Sequence, residues 1–284
     1  MRRFAIPILF LAAGVASAQK GPKLPDGVTA DRDVAYGTHE RQKLDVYVPK
    51  GDGPFPLVLW VHGGAWQGGS KDGGNAALGL LTQGYAVAST NYRLSQHAAF
   101  PAQIHDVKAA VRFLRANAKK YKLDPDRFGA AGASAGGHLV ALIGTSGDVT
   151  DLDGDGPHKG VSSKVSCVLD FFGPTDLSKF PTTPNGSSPI EKLLGGKAAD
   201  KKDLAAKANP ITFVSKGDPP VLIVHGDKDP TVPLSQSELL HEALKKGGVD
   251  STLKVIPGAQ HGPGVFTPEL SKEYAAFFDK HLKK

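Results

Sequence analysis

One short stretch constrains this chain more than any other. Residues 128–142 read Phe-Gly-Ala-Ala-Gly-Ala-Ser-Ala-Gly-Gly-His-Leu-Val-Ala-Leu. An apolar run ends at Gly132, Ser134 follows, and a helical pattern begins at once. A strand can pass into a helix this abruptly only if the corner residue takes a strained, positive-φ backbone. The residues two before and two after the corner must then be almost free of side chain. Gly132 and Gly136 meet that demand. The strain would lift the Ser134 hydroxyl clear of the backbone, and the N–H groups of the helix would favour negative charge beside it.

The pattern around this corner alternates. Strands are expected at 33–38, 43–49, 56–62, 85–91, 127–132, 165–171, 221–225 and 252–256. The run 56–62 is continuously apolar, as in a strand buried on both faces. Helices are expected at 75–82, after Pro101, after Ser134, at 235–245 and at 268–282. The helix after Pro101 carries Ile104, Val107, Val111 and Leu114 at helical spacing. Strands and helices in this order predict an α/β fold with a mostly parallel central sheet of about eight strands, flanked by helices on both faces. The first two strands read as a hairpin at its edge. Two stretches break the rhythm. Residues 147–164 are polar and glycine-rich, a loop. Residues 173–220 contain Pro181, Pro184, Pro189 and Pro210, with short helices near 190–194 and 201–207. So long a connection is read as the rim of a binding cleft.

The first 18 residues are expected to be no part of that fold. A basic start at Arg2-Arg3, an apolar segment from Phe4 to Val15 and the small-x-small pattern Ala16-Ser17-Ala18 read as a secretory signal peptide, cleaved after Ala18. Residues 19–284 then form a single domain, periplasmic or secreted, with no membrane span in the mature chain. Cys167 is the sole cysteine, which excludes an internal disulfide. The formal net charge of +6 comes without a basic stripe interleaved with aromatics, so nucleic acid is not an expected partner.

In a parallel sheet, reactive groups gather at the carboxyl ends of strands. Four ends here carry them: His62-Gly63-Gly64-Ala65-Trp66, Ser134, the stretch from His225 through Asp227 and Asp229 to Pro233, and the stretch from Gly258 to His261 and Gly262. Ester cleavage through an acyl-enzyme needs a nucleophile, a base, an orienting acid and an oxyanion site. Ser134 offers the hydroxyl and His261 the base. Asp229 offers the acid, with Asp227 as its rival and Asp176 a more distant one. The N–H groups of Gly64, Ala65 and Ala135 offer the oxyanion hole. His62, His138 and His225 read as structural. Trp66 and Phe172 are expected to line the substrate pocket. Asp151-x-Asp153-x-Asp155-Gly156 imitates half of a calcium loop, but Ser162 stands where the bidentate glutamate belongs, so no metal is expected.

His62-Gly-Gly-Ala-Trp66, the Gly-x-Ser-Ala-Gly-Gly-His-Leu stretch of 132–139 and the His-Gly-Asp-x-Asp-x-x-Val-Pro stretch of 225–233 together resemble the α/β-hydrolase superfamily. More narrowly, they are similar to its esterase branch of feruloyl- and acetyl-esterase-like (BD-FAE-like) proteins, carboxylesterases and relatives of hormone-sensitive lipase. The resemblance covers nearly the whole mature length. It implies the order Ser134, Asp229, His261, places the acid at Asp229, and implies a carboxylic-ester hydrolase for small acyl or aryl esters, including carbohydrate-linked acetyl and feruloyl esters, with no cofactor. One departure is Ala65, where a third glycine is common. A second is the absence of a long N-terminal cap sequence, which implies a small cap or none and an open cleft. The same residue types leave open an amide or peptide hydrolase, and a hydrolase fold that binds without catalysis.

Overall fold

The computed structural model describes residues 24–73, 76–180 and 188–283. The expected signal peptide lies outside the described residues. Eight strands form one sheet: β1 (Thr29–Ala35), β2 (Lys43–Val48), β3 (Phe55–Val61), β4 (Ala86–Thr90), β5 (Leu123–Ala133), β6 (Cys167–Phe171), β7 (Val221–Gly226) and β8 (Ser251–Ile256). Their order across the sheet is β1-β2-β4-β3-β5-β6-β7-β8. β2 pairs antiparallel with both of its neighbours, and the pairs from β4 to β8 are parallel. Six helices accompany the sheet: α1 (Ala102–Ala116), α2 (Ala135–Thr145), α3 (Pro189–Leu194), α4 (Lys202–Ala208), α5 (Leu234–Lys246) and α6 (Pro268–Leu282). This is the mostly parallel α/β sheet expected from the alternation, and the α/β-hydrolase fold that the resemblance implies.

Strand periodicity divides the core in two. Leu57, Leu59 and Val61 of β3 point to one face, where they join Ile104, Val107, Val111 and Leu114 of α1, Leu139 and Leu142 of α2, and Leu240 and Leu244 of α5. Val58 and Trp60 point to the other face, against Leu80, Leu81, Tyr274 and Phe278. The central strands are buried on both sides. That explains their unbroken apolar runs.

Three elements depart from expectation. β1 begins at Thr29, earlier than the expected 33–38, and nearly all of it is exposed. An edge strand of this kind has no apolar alternation to announce its start. Asp33 sits at a register shift in it with φ 54°, and its N–H donates to Asp45 Oδ1 at 2.8 Å. β5 reaches back to Leu123 through the polar Asp124-Pro125-Asp126. The expected helix at 75–82 is a 3₁₀ segment, Ala76–Gln83, with Gly79 in its middle.

The ends of β3 and β5 are drawn together by the absence of side chains. A Cβ on Gly136 would drive into the carbonyl oxygen of Val61, and one on Gly132 into that of Gly136. A Cβ on Gly63 would lie 2.8 Å from Ala133 O and 3.2 Å from Ser134 Cβ. Overpacking of this sort costs about 1–3 kcal/mol, and the obstacle at Gly136 is backbone that cannot rotate away. Gly136→Ala is therefore expected to lower the melting temperature by about 5 °C or more. Gly79→Ala, which meets nothing within 4 Å, is the control and should be near neutral. Equal melting points for the two variants would contradict the close approach.

Candidate functional site

Ser134 closes β5 with φ 56° and ψ −120°, the positive-φ corner that its glycine neighbours demand. Its N–H donates to Phe171 O at 2.9 Å, and its carbonyl accepts from His138 N at 3.0 Å. The corner is thus fixed from β6 on one side and from α2 on the other. The side chain itself remains half-buried.

The loops after β7 and β8 meet at the same end of the sheet. His261 Nδ1 lies 2.7 Å from Asp229 Oδ2. Asp229 Oδ1 accepts from Thr231 N at 2.7 Å and Val232 N at 2.9 Å. The carboxylate is fully buried, while the His261 side chain keeps 22% of its exposure. Asp227 is exposed and accepts from Gly258 N, so it ties the two loops together and does not reach His261. Asp176 bonds to Ser178 and Asn209 instead.

His225 supports the acid from behind. It is fully buried, and its Nε2 lies 2.9 Å from Val232 O and 3.4 Å from Asp229 Oδ2. Its Nδ1 lies 2.7 Å from Ser237 Oγ. A carbonyl only accepts, so Nε2 carries the proton and Nδ1 takes the serine O–H. Burial lowers its pKa and keeps it neutral.

The loop 62–66, expected to supply the oxyanion hole, lies beside the corner. Gly64, Ala65 and Trp66 all have positive φ, at 110°, 53° and 57°. The Gly64 carbonyl accepts from Gln67 N and Gly68 N, each at 2.9 Å, which turns the loop back on itself. Among the described residues no acceptor takes the N–H of Gly64, Ala65 or Ala135. His62 props the loop from below. It stacks on Tyr92 with centroids 4.4 Å apart, and its Nδ1–H donates to Gly63 O at 2.7 Å. Its Nε2 accepts from Arg41 Nη2 at 3.2 Å, and the same nitrogen of Arg41 donates to Gly69 O. Burial pushes His62 down to about 4, and the Arg41 charge acts in the same direction.

Trp66 corrects an expectation. Its side chain is 3% exposed and packs in the core, with the indole N–H donating to His138 Nδ1 at 3.2 Å. The ring is packed against His138 and does not line the cleft beside the corner. His138 in turn donates from Nε2 to Ala208 O at 2.7 Å, and burial pushes its pKa down to about 4. Phe172, also buried, has φ 45° and holds its ring 4.5 Å from that of His261. A cleft of about 540 Å³ opens beside the corner between Trp60, Gly63, Gly64, Ala133 and Phe266. The segment 173–220, expected to form the rim, reaches this loop through Lys192 Nζ, which donates to Gln67 Oε1 at 2.8 Å, but none of its described residues lines the cleft.

The calcium-like aspartates are all engaged by lysines: Asp151 by Lys207, Asp153 by Lys108, Asp155 by Lys159. Among the described residues no cluster of three or more His, Cys, Asp or Glu is arranged to hold a metal ion. None of the described helices is long and apolar enough to cross a membrane.

The model of the BD-FAE family matches residues 44–244, more than half of the chain. The chain belongs to the BD-FAE family. Esterase LipC of Mycobacterium tuberculosis is 33% identical over 81% of this chain and 59% of its own length. The chain thus spans about three-fifths of that relative. Two solved structures are similar along most of both chains. A truncated carbohydrate esterase from gut microbiota is 35% identical with a TM-score of 0.87, covering 93% of this chain and all of the other. An acetyl ester-xyloside bifunctional hydrolase from Caldicellulosiruptor lactoaceticus is 30% identical with a TM-score of 0.74, covering 84% and 87%. The segment 44–244 contains the loop 62–66, Ser134 and Asp229, and His261 follows it.

Sequence reasoning missed Arg41, which lies in the turn between β1 and β2, and Asp170, at the end of β6. Asp170 is 1% exposed, accepts from Gly173 N at 2.9 Å and packs against Gly137 of α2. Burial raises its pKa to about 7. This carboxyl and the two propping imidazoles pull stability in opposite directions. His62 and His138 have folded pKa values below their unfolded ones, so their contribution is full above about 6.5 and is lost as pH falls toward 4. Asp170 has a raised folded pKa, so its contribution is full below about 4 and is lost as pH rises toward 7. Asp170→Asn should therefore gain more stability between pH 4.5 and 7 than wild type does, read from urea midpoints. Parallel pH profiles for the two proteins would show that Asp170 is not held protonated.

Proposed function

We propose that this chain is a serine carboxylic-ester hydrolase. Ser134 is the nucleophile, His261 the general base and then acid, and Asp229 the group that orients the imidazole. The single observation that carries the reading is the 2.7 Å bond from His261 Nδ1 to a fully buried Asp229, at the sheet end where Ser134 is held at positive φ. That bond puts the proton of neutral His261 on Nδ1 and leaves Nε2 as a lone pair able to take the serine proton. As the proton moves, the imidazolium is stabilised by a carboxylate already fixed by two backbone donors. Attack on the ester carbonyl gives a tetrahedral oxyanion, which the N–H groups of Ala135, Gly64 and Ala65 would receive. His261 then returns the proton to the leaving alcohol, and water repeats the sequence on the acyl-enzyme.

The substrates are small acyl or aryl esters, including acetyl and feruloyl groups on carbohydrates. Support comes from the apolar cleft of about 540 Å³ and from the names of the structural relatives, a carbohydrate esterase and an acetyl ester-xyloside hydrolase. The mechanism needs no cofactor. Residues 1–18 serve as an export signal, and the mature chain acts in the periplasm or outside the cell. On this reading the exported protein begins at Gln19. Edman sequencing of protein recovered from the extracytoplasmic fraction checks it, and an intact Met1 there would refute cleavage.

Ser134→Ala should lower kcat for p-nitrophenyl acetate by roughly a million-fold, because the three residues act as a unit. A fluorophosphonate should label the wild-type protein once, at Ser134, and the variant not at all. Retained turnover in Ser134→Ala would sink the assignment. A parallel panel of acetyl and feruloyl oligosaccharides and p-nitroanilides separates ester from amide cleavage.

A further inference from the structure

A second cavity lies along α1, under the loop that follows α2, and nothing in the proposed chemistry uses it. It encloses about 580 Å³ and is lined in part by His105, Arg112, Thr150, Gly154 and Ser163. His105, Lys108 and Arg112 recur on α1 at helical spacing, so they share one face. Lys108 is fully buried and fully answered: its Nζ donates to Ser146 O at 2.7 Å, Val149 O at 3.3 Å and Asp153 Oδ1 at 2.9 Å.

Arg112 is not answered. Its side chain is 3% exposed, and none of its three guanidinium nitrogens has a hydrogen-bond partner. The carboxylates nearby are committed elsewhere, Asp153 to Lys108, Asp155 to Lys159 and Asp151 to Lys207. The cavity's lining sets Arg112 and Lys159 against Asp151, Asp153 and Asp155, and each of these carboxylates has a lysine partner, so Arg112 is the cation left without one. Burial lowers its pKa, yet a guanidinium stays protonated near neutral pH. A buried, unpaired cation with five idle N–H groups is among the costliest arrangements a fold can hold. His105 Nε2, in the same cavity, is likewise buried without a partner. Gly156 lies directly over the fork, and a Cβ there would stand 3.4 Å from Arg112 Nη2.

We propose that this cavity is a binding site for a small, singly charged oxyanion, a carboxylate or a phosphate, taken by the Arg112 fork. Planar two-point recognition suits both groups, and one negative charge answers the unpaired guanidinium. The site is separate from the cleft at Ser134 and does not depend on the esterase reading.

Thermal unfolding of the whole chain, titrated with sodium phosphate or sodium acetate against sodium chloride at equal ionic strength, tests it. The protein is first phosphonylated at Ser134, or carries Ser134→Ala, to separate binding in the oxyanion hole from binding here. A saturable rise in melting temperature with one oxyanion and not with chloride is expected. Response to phosphate or to acetate identifies which group the site takes. Arg112→Met should melt higher than its parent in chloride, because a buried unpaired charge is gone. It should also weaken the apparent Kd for the oxyanion by about tenfold or more. Should that variant not fold, Arg112→Lys keeps the charge, loses the fork and should weaken binding likewise. A response to neither oxyanion, or an unchanged Kd in the substituted protein, overturns the proposal.

Discussion

A backbone approach too close for any side chain joins β3 to the start of α2, and the site is built outward from it. Gly136 rests on the carbonyl of Val61, and Gly63 rests on Ala133 and Ser134. With these glycines in place, the positive-φ corner at Ser134 and the positive-φ run at Gly64, Ala65 and Trp66 face each other. Each is strained, and each is held by bonds from outside its own loop: Phe171 to Ser134, Ser95 to Trp66, Arg41 to Gly69. The surrounding sheet over-determines conformations that the local sequence would not choose.

Histidine does two kinds of work in this neighbourhood, and burial sorts them. His62, His138 and His225 each have both ring nitrogens bound, and burial lowers the pKa of all three. They serve as neutral two-ended connectors, a donor on one nitrogen and an acceptor on the other. His261 differs. One nitrogen is fixed on Asp229, and the side chain stays partly exposed. The sequence separates His261 from the other three only by its place on the last glycine-flanked loop, since each of the four sits next to or near glycine at a strand or helix end. What separates them is which nitrogens the fold leaves free.

The sheet was legible because central parallel strands are buried on both faces and therefore read as unbroken apolar runs. The corner at Ser134 was legible because glycine spacing records a steric demand directly. Less could be read where the deciding partner lies far along the chain. Arg41 and His62 are 21 residues apart, and His138 and Ala208 are 70 apart. No local pattern signals such pairs. The exposed start of β1 and the polar start of β5 carry no hydrophobic period. Trp66 was misplaced for a related reason: its position after the His-Gly-Gly-Ala stretch is plain in the sequence, but the burial of its ring against His138, 72 residues away, is not. Asp229 and Asp227 sit two residues apart in one turn; the residue pattern alone leaves both open, the resemblance favours Asp229, and in the structure Asp229 is the one that meets His261.

The bond from His138 to the carbonyl of Ala208 has a consequence for how such a protein can diversify. The segment around α3 and α4 lies outside the sheet, so it is the natural region to exchange between relatives. Yet its last helical turn is wired through one imidazole to the indole of Trp66 and so to the loop 62–66. Any transplanted segment must present a carbonyl at that one place. A graft that omits it would release the loop from a distance, and chemistry would suffer although no reacting group had been touched.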